Sequence, residues 1–302
     1  MRRTRFSTVH LLMLLCALLV SGSFPVGAAI TQDLDPAVLT LIRFLFASIL
    51  FAPLIWFRYG LAVSFAALLR YSLVSAILVI FFWCMFFSLR YTTALNTSAI
   101  FTLVPSFSGL YAMVLNRERL GRARLIALFL GVIGALWIIF RGDVHQLISL
   151  AWNRGDLVFL IGCLFMGLYT PLIRLLHRGE PMALMAFWIM VTGTLWLLLL
   201  AGPRLAFVSW SDVSIKVWLG IGYLAIFSTI VSFFLTQYGI LFLGPTRVMA
   251  YSYLYPALVL VLDFLWGGDV PELKILPGVV IVLSAMLVVQ RMAGSSSPED
   301  SS

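Results

Sequence analysis

Stretches of about twenty apolar residues recur ten times along this 302-residue chain. At 1.5 Å rise per residue each is long enough to cross the hydrocarbon of a bilayer. They run near 9–30, 36–57, 71–90, 95–116, 122–141, 155–175, 181–201, 215–237, 245–267 and 274–291. The connections between them are too short to hold a water-soluble domain. Composition agrees: 62 % of the residues are hydrophobic and 11 % charged, whereas a soluble domain carries about 25 % charged residues. The aromatic content of 14 % suits interfacial belts and packed helix contacts. Lipid is therefore the expected main solvent, and the expected fold is an all-α integral membrane protein of ten transmembrane helices.

The net charge of +8 raises the question of a nucleic-acid partner. The cations, however, sit a few at a time between apolar runs rather than in a dense tract, so no nucleic-acid partner is expected. They act instead as an orientation signal. With the N-terminus placed in the cytoplasm, one side collects Arg2, Arg3, Arg5, Arg58, Arg70, Arg117, Arg119, Arg122, Arg124, Arg174, Arg178, Arg247 and Arg291. The other side holds Arg90, Arg141, Arg154, Arg204, Lys216 and Lys274, and Arg43 is left inside a span. This bias places both termini in the cytoplasm and favours an even number of spans. The N-terminal cations followed by Leu11–Val20 imitate a secretory signal, but the apolar run continues to Ile30, and an uncleaved first helix is expected. Cys16, Cys84 and Cys163 each lie within an apolar run and read as packing residues, with neither a disulfide framework nor a metal motif. No cofactor is expected.

An internal repeat is the most informative feature. Gly22 and Pro36 are spaced like Gly167 and Pro181, so Asp35-Pro36 aligns with Glu180-Pro181 at an offset of 145. Ala99, Pro105 and Glu118 align with Ala250, Pro256 and Asp269 at an offset of 151. A longer loop near Arg204–Lys216 accounts for the difference. Each half then holds five spans, and an odd number inserts the second half upside down. Two inverted five-helix repeats around a central cavity are the architecture of many secondary transporters. The expected division is a cytoplasmic segment 1–8, a first repeat 9–141, an external linker 142–154, a second repeat 155–291 and a disordered cytoplasmic tail 292–302.

The order and spacing of several elements resemble the drug/metabolite transporter superfamily, in its EamA-type branch. The residues concerned are Ser21-Gly22-Ser23-Phe24-Pro25, Pro36 through Arg43-Phe44 with Ala47 and Pro53, and Ala94 to Pro105. Asn116-Arg117-Glu118-Arg119-Leu120 and Gly131 to Gly134 follow, and Pro256, Gly268-Asp269 and Gly278 repeat the pattern. Asp269 stands where the family usually has Glu, and the stretch from Gly121 is unusually basic. The resemblance implies an inner-membrane, multi-pass carrier working by alternating access. Its cargo would be an amino acid, another metabolite or a drug-like compound, and export is the commoner direction.

Pro105 and Pro256 fall near mid-membrane in the fourth and ninth spans. Each lacks an amide proton and takes the usual partner from a carbonyl four residues earlier, those of Phe101 and Ser252. Such breaks are tolerated where protein or water replaces the bond, so two at matching repeat positions point to a polar cavity, unless they are ordinary packing kinks. Around them the expected cavity residues are Trp83, Asn96, Ser98, Thr102, Tyr169, Gln237, Tyr251, Ser252 and Tyr255, each of which has core packing as its plainer explanation. Arg43 and Asp263 are the expected intramembrane charges, at comparable depth and of opposite sign. They are expected either to pair or, for Arg43, to cap carbonyls or snorkel. Glu118 and Asp269 read as solvated ion pairs.

An intramembrane enzyme would need a nucleophile–base set or metal ligands. His10, His145 and His177 lie at span ends, Asp263 lacks a second intramembrane carboxylate, and there is no HExxH or GxSxG, so no enzyme is expected. A channel or a non-transporting sensor is the alternative. A phosphate-cradling loop is also missing, so direct use of ATP is not expected. Proton coupling through Asp263 and uncoupled uniport both remain open, as does the oligomeric state.

Overall fold

The computed structural model describes residues 2–115, 117, 121–145, 153–243, 245–267 and 272–292. Asn116, Glu118, Arg119, Leu120, Gly268, Asp269 and the tail from Gly294 lie outside the described residues. Everything regular among the described residues is helical. Among the described residues nine helices are long and apolar enough to cross a membrane, and Leu125–Ile139 is a shorter apolar helix, consistent with ten spans.

The first span, α1, is Arg2–Ser21 continued as Ser23–Ile30. Next come α2 (Pro36–Tyr59), α3 (Phe65–Ser88), α4 (Ala94–Phe101 then Val104–Leu115) and α5 (Arg122–Ile139). The chain continues with α6 (Arg154–Leu176) and α7 (Met182–Leu205). In α8, Ile215–Ala225 leads through a π-helical stretch, Ile226–Val231, into Ser232–Leu243. In α9, Pro245–Met249 passes through a 3-10 stretch, Ala250–Leu254, into Tyr255–Leu265. Last is α10 (Leu276–Met292).

The caps follow from local chemistry. Asp35 accepts from the amides of Ala37 and Val38 at the start of α2, and Pro36 occupies the first turn, where its missing N–H costs nothing. Ser64 accepts from the amide of Ala67 and starts α3 earlier than the expected edge at 71. Arg70, taken as a loop cation, is inside that helix. Its guanidinium reaches the neighbouring loop, donating to the Leu176 carbonyl at 2.5 Å and to Glu180 at 2.6 Å. Burial alone would raise the pKa of Glu180. The backbone amides of Glu180 and Arg178, together with Arg70, outweigh it and hold the carboxyl down at about 2.

Two ends are defined by these connections. One is arginine-rich and gathers the segments around Arg58, Arg70, Arg117, Arg178 and Arg247. At the opposite end Arg204 pairs with Asp35 at 2.9 Å, and Arg90 donates to the carbonyls of Thr31 and Leu34. Asn153 there donates to Tyr91, and Trp137 to Lys274. The most extensive helix contacts are α5 with α10, α3 with α6, α2 with α7, and α4 with α6. Large apolar side chains such as Phe57, Phe65, Leu199 and Val280 stand more than half exposed. A water-facing surface would not carry so many, and a lipid-facing one requires them.

Both proline breaks have the same construction. Pro105 is the second residue of Val104–Leu115, and Pro256 the second of Tyr255–Leu265. The Ser252 carbonyl, expected to lose its partner, accepts instead from the amide of Tyr255 through the tighter 3-10 winding before the proline. Local rewinding thus satisfies that group within the helix itself.

Candidate functional site

A chamber of about 730 Å³ lies within the bundle. Its walls run from Arg43, Phe44 and Phe82 at mid-depth to the exposed Arg174 and to Met182 at the arginine-rich end. Met166, Met185, Met190 and Met249 add flexible, polarizable wall. A smaller chamber of about 210 Å³ adjoins it, between α1, α3, α8 and α9. Arg43, Phe82, Met166, Ser228, Thr236 and Met249 line both.

Arg43 is at the junction and is 2 % exposed. Its Nε and NH2 groups donate to Thr229 Oγ1 at 3.2 and 2.9 Å, and its guanidinium carbon lies 4.2 Å from the centroid of the Phe82 ring. Its NH1 nitrogen is buried without a hydrogen-bond partner. Thr229 is placed for this role by the π-helical stretch of α8. Its hydroxyl proton goes to the Leu224 carbonyl five residues back, at 2.7 Å, so the oxygen lone pairs face Arg43. Local π-helical turns often mark functional positions.

Toward the opposite end the space is closed by five aromatic rings from five spans: Phe24, Phe81, Phe101, Phe159 and Tyr255. Phe24 lies 6.0 Å from Phe101 and 6.4 Å from Phe159. Phe81 is 5.8 Å from each of Phe101 and Phe159, and Phe101 stacks on Tyr255 at 5.4 Å. The void therefore reaches one end of the molecule and is plugged before the other.

The expected cavity residues divide. Pro105, Tyr169 and Gln237 line the larger chamber, and Tyr251, Ser252 and Tyr255 the smaller. Tyr251 is also held by His10, its hydroxyl 2.5 Å from Nδ1. Ser98 and Thr102 line neither chamber. They are fully buried and turn their hydroxyls back onto the carbonyls of Leu95 and Ala99, the usual way a helical hydroxyl satisfies itself. Pro256 is buried at the break itself. Asn96 serves a different partner, Asp156, at 3.4 Å. Trp83 stacks on Phe87 at 5.1 Å and is 37 % exposed, because the chamber face of α3 is the one bearing Phe82.

The ion pair between Arg43 and Asp263 is not formed. Asp263 is exposed in the last turn of α9, while the partners of Arg43 come from α8 and α3. Nor is Asp263 the sole carboxylate within the spans. Asp156, in the first turn of α6, is 2 % exposed and accepts from Thr92 at 2.5 Å. Sequence reasoning missed Thr229, Phe82 and the methionines. The one available signal was the run of polar residues Ser228, Thr229, Ser232, Thr236 and Gln237 within the eighth span.

A multi-pass helical bundle with a polar-centred internal chamber is the class this geometry defines. The EamA-like transporter family matches residues 7–140 and 153–291, and the chain belongs to that family. It is a multi-pass membrane transporter. It is similar to an uncharacterized transporter of Archaeoglobus fulgidus, 25 % identical over 93 % of this chain and 96 % of the relative. The uncharacterized transporter YyaM of Bacillus subtilis is 24 % identical over 67 % of this chain and 66 % of its own length. A probable terminal-alkyne amino-acid exporter of Streptantibioticus cattleyicolor is 26 % identical over 66 % of this chain and 65 % of its own. A solved crystal structure shares the fold, with a TM-score of 0.68 over 95 % of this chain and 98 % of that one, at 17 % identity.

Proposed function

We propose that this chain is a secondary transporter of the inner membrane, with both termini cytoplasmic, that exports a small organic solute by alternating access. The observation that carries this reading is the one-sided chamber, entered from the arginine-rich end and stopped by aromatic rings before the other. By the positive-inside rule the arginine-rich end is cytoplasmic, so the chamber would load from the cytosol. One relative is named as an amino-acid exporter, which supports the same direction.

Two five-helix repeats, 9–141 and 155–291, give the reading its mechanism. Several pairings support an inverted relation between them. As α3 packs on α6, so α8 packs on α1; as α4 packs on α6, so α9 packs on α1. The contacts of α2 with α7 and of α5 with α10 run between equivalent helices of the two halves. Rocking one half against the other would move the plug from one end to the other around a fixed centre at Arg43. In sealed vesicles containing the purified chain, preloaded solute is expected to drive saturable counterflow of labelled solute. Voltage-driven flux that does not saturate would instead favour a channel.

A further inference from the structure

We infer that the chamber recognises organic monocarboxylates, whose anionic group is taken by Arg43 and whose apolar body lies against Phe82 and the methionine wall. Burying a guanidinium is costly unless its donors are satisfied and its charge is balanced. Here a neutral hydroxyl, Thr229, takes two of the donating nitrogens, and the third nitrogen, NH1, has no partner. Arg43 is nevertheless part of the wall of both chambers. Among the described residues lining the two chambers there is no Asp or Glu, and Arg174 adds a second cation at the mouth. The lining is therefore complementary to negative charge and offers nothing to balance an ammonium group.

Arg43, the charge at mid-depth among the described lining residues, sets the valence. A monoanion neutralises it, whereas a dianion would leave one charge uncompensated where the dielectric is low. A zwitterion would leave its ammonium unmatched. Anionic solutes are favoured over amino acids for the same reason. The apolar remainder of the wall, with Phe44, Phe82, Met166 and Met185, suits an aliphatic or aromatic body of modest size.

That these acids are carried as well as bound rests on the transporter reading, and binding tests their recognition separately. The full-length protein in detergent is titrated, by thermal shift, with 3-phenylpropanoate, 3-phenylpropanamide and phenylalanine. Straight-chain monocarboxylates of roughly six to twelve carbons complete the series, a range set by the chamber's size. The acids are expected to bind roughly tenfold to a hundredfold more tightly than matched amides, the worth of charge-assisted hydrogen bonds. Phenylalanine is expected to bind no better than the amide. Arg43→Gln should erase the preference for acid over amide, and Arg43→Lys should retain part of it. If Arg43→Gln does not fold, the acid–amide–zwitterion comparison on the unaltered protein decides. Acids no better than amides, phenylalanine equal to the acid, or no stabilisation by any acid overturns the inference. Acid binding without counterflow would sink the transporter reading and leave this one standing. Counterflow carried only by neutral or amine solutes would do the reverse.

Discussion

Arg43→Met is expected to leave thermal stability equal or higher while lowering transport by roughly a hundredfold or more. The two halves of this expectation come from different physics. Replacing a buried, incompletely partnered charge with an apolar side chain of similar length is often neutral or stabilising, by about 1–4 kcal/mol. The lost contact of the guanidinium with Phe82, at 4.2 Å, is worth about 0.5–2 kcal/mol, and a methionine sulfur over the same ring recovers part of it. Thr229 keeps its own bond to the Leu224 carbonyl, so no donor is orphaned. Transport loses the Arg43 cation at the centre of the bundle, and two charge-assisted hydrogen bonds of about 1.5–3 kcal/mol each give the hundredfold figure. Melting of the purified variant and its initial rate in vesicles check both halves. A variant that transports normally but melts early would assign Arg43 to folding instead.

Gly134→Leu is expected to abolish the folded protein. Gly134 is where α5 crosses α10. A Cβ added there would lie 2.5 Å from Val282 Cγ2, 2.9 Å from the Gly278 carbonyl oxygen and 3.0 Å from the Val282 amide nitrogen. Two of these obstacles are backbone and cannot turn aside. The reciprocal contact is as close, since a Cβ on Gly278 would meet the Gly134 carbonyl oxygen at 3.0 Å. Small residues let helix backbones approach in lipid, where association depends on packing rather than on exclusion of water. A leucine would separate the two helices along the most extensive helix contact among the described residues, at a cost of about 3 kcal/mol or more. Alanine carries the same Cβ and should be destabilising to a lesser degree. The fraction of monodisperse protein surviving a heating series is expected to fall in the order glycine, alanine, leucine. A leucine variant as stable as the unaltered protein would contradict the crossing geometry.

The spans were legible because lipid demands an unbroken apolar run whatever the neighbours are, and that demand is written locally. Their edges were less so. Arg70 looked like the end of a loop but is a helical residue whose long side chain reaches Glu180, and Pro203 lies within α7 although the span was expected to end at 201. The cavity was only partly legible. A helix that is apolar on every face gives no periodicity from which to tell its chamber side, so Trp83 and Phe82, adjacent in sequence, could not be distinguished. Serine and threonine in a helix can bond their own turn, so Ser98 and Thr102 carried no information about the cavity. The partner of Arg43 depended on a π-helical turn in α8 that shifts Thr229 by a fraction of a turn. Depth alone suggested Asp263, and depth does not specify which face of the helix a residue occupies.

The most direct measurement is side-specific cysteine labelling in sealed vesicles. Cys16, Cys84 and Cys163 are buried and are first replaced by serine or alanine. Single cysteines are then placed at Met182, at the chamber mouth, and at Phe159, in the aromatic plug. At rest an impermeant maleimide should label position 182 from the arginine-rich side alone and leave position 159 unreactive from both. When transported solute is supplied on the opposite side, position 159 should become reactive from that side while position 182 becomes protected. Labelling of both positions at once from both sides, or no change at position 159 during turnover, would contradict a centre that faces the two sides of the membrane in turn.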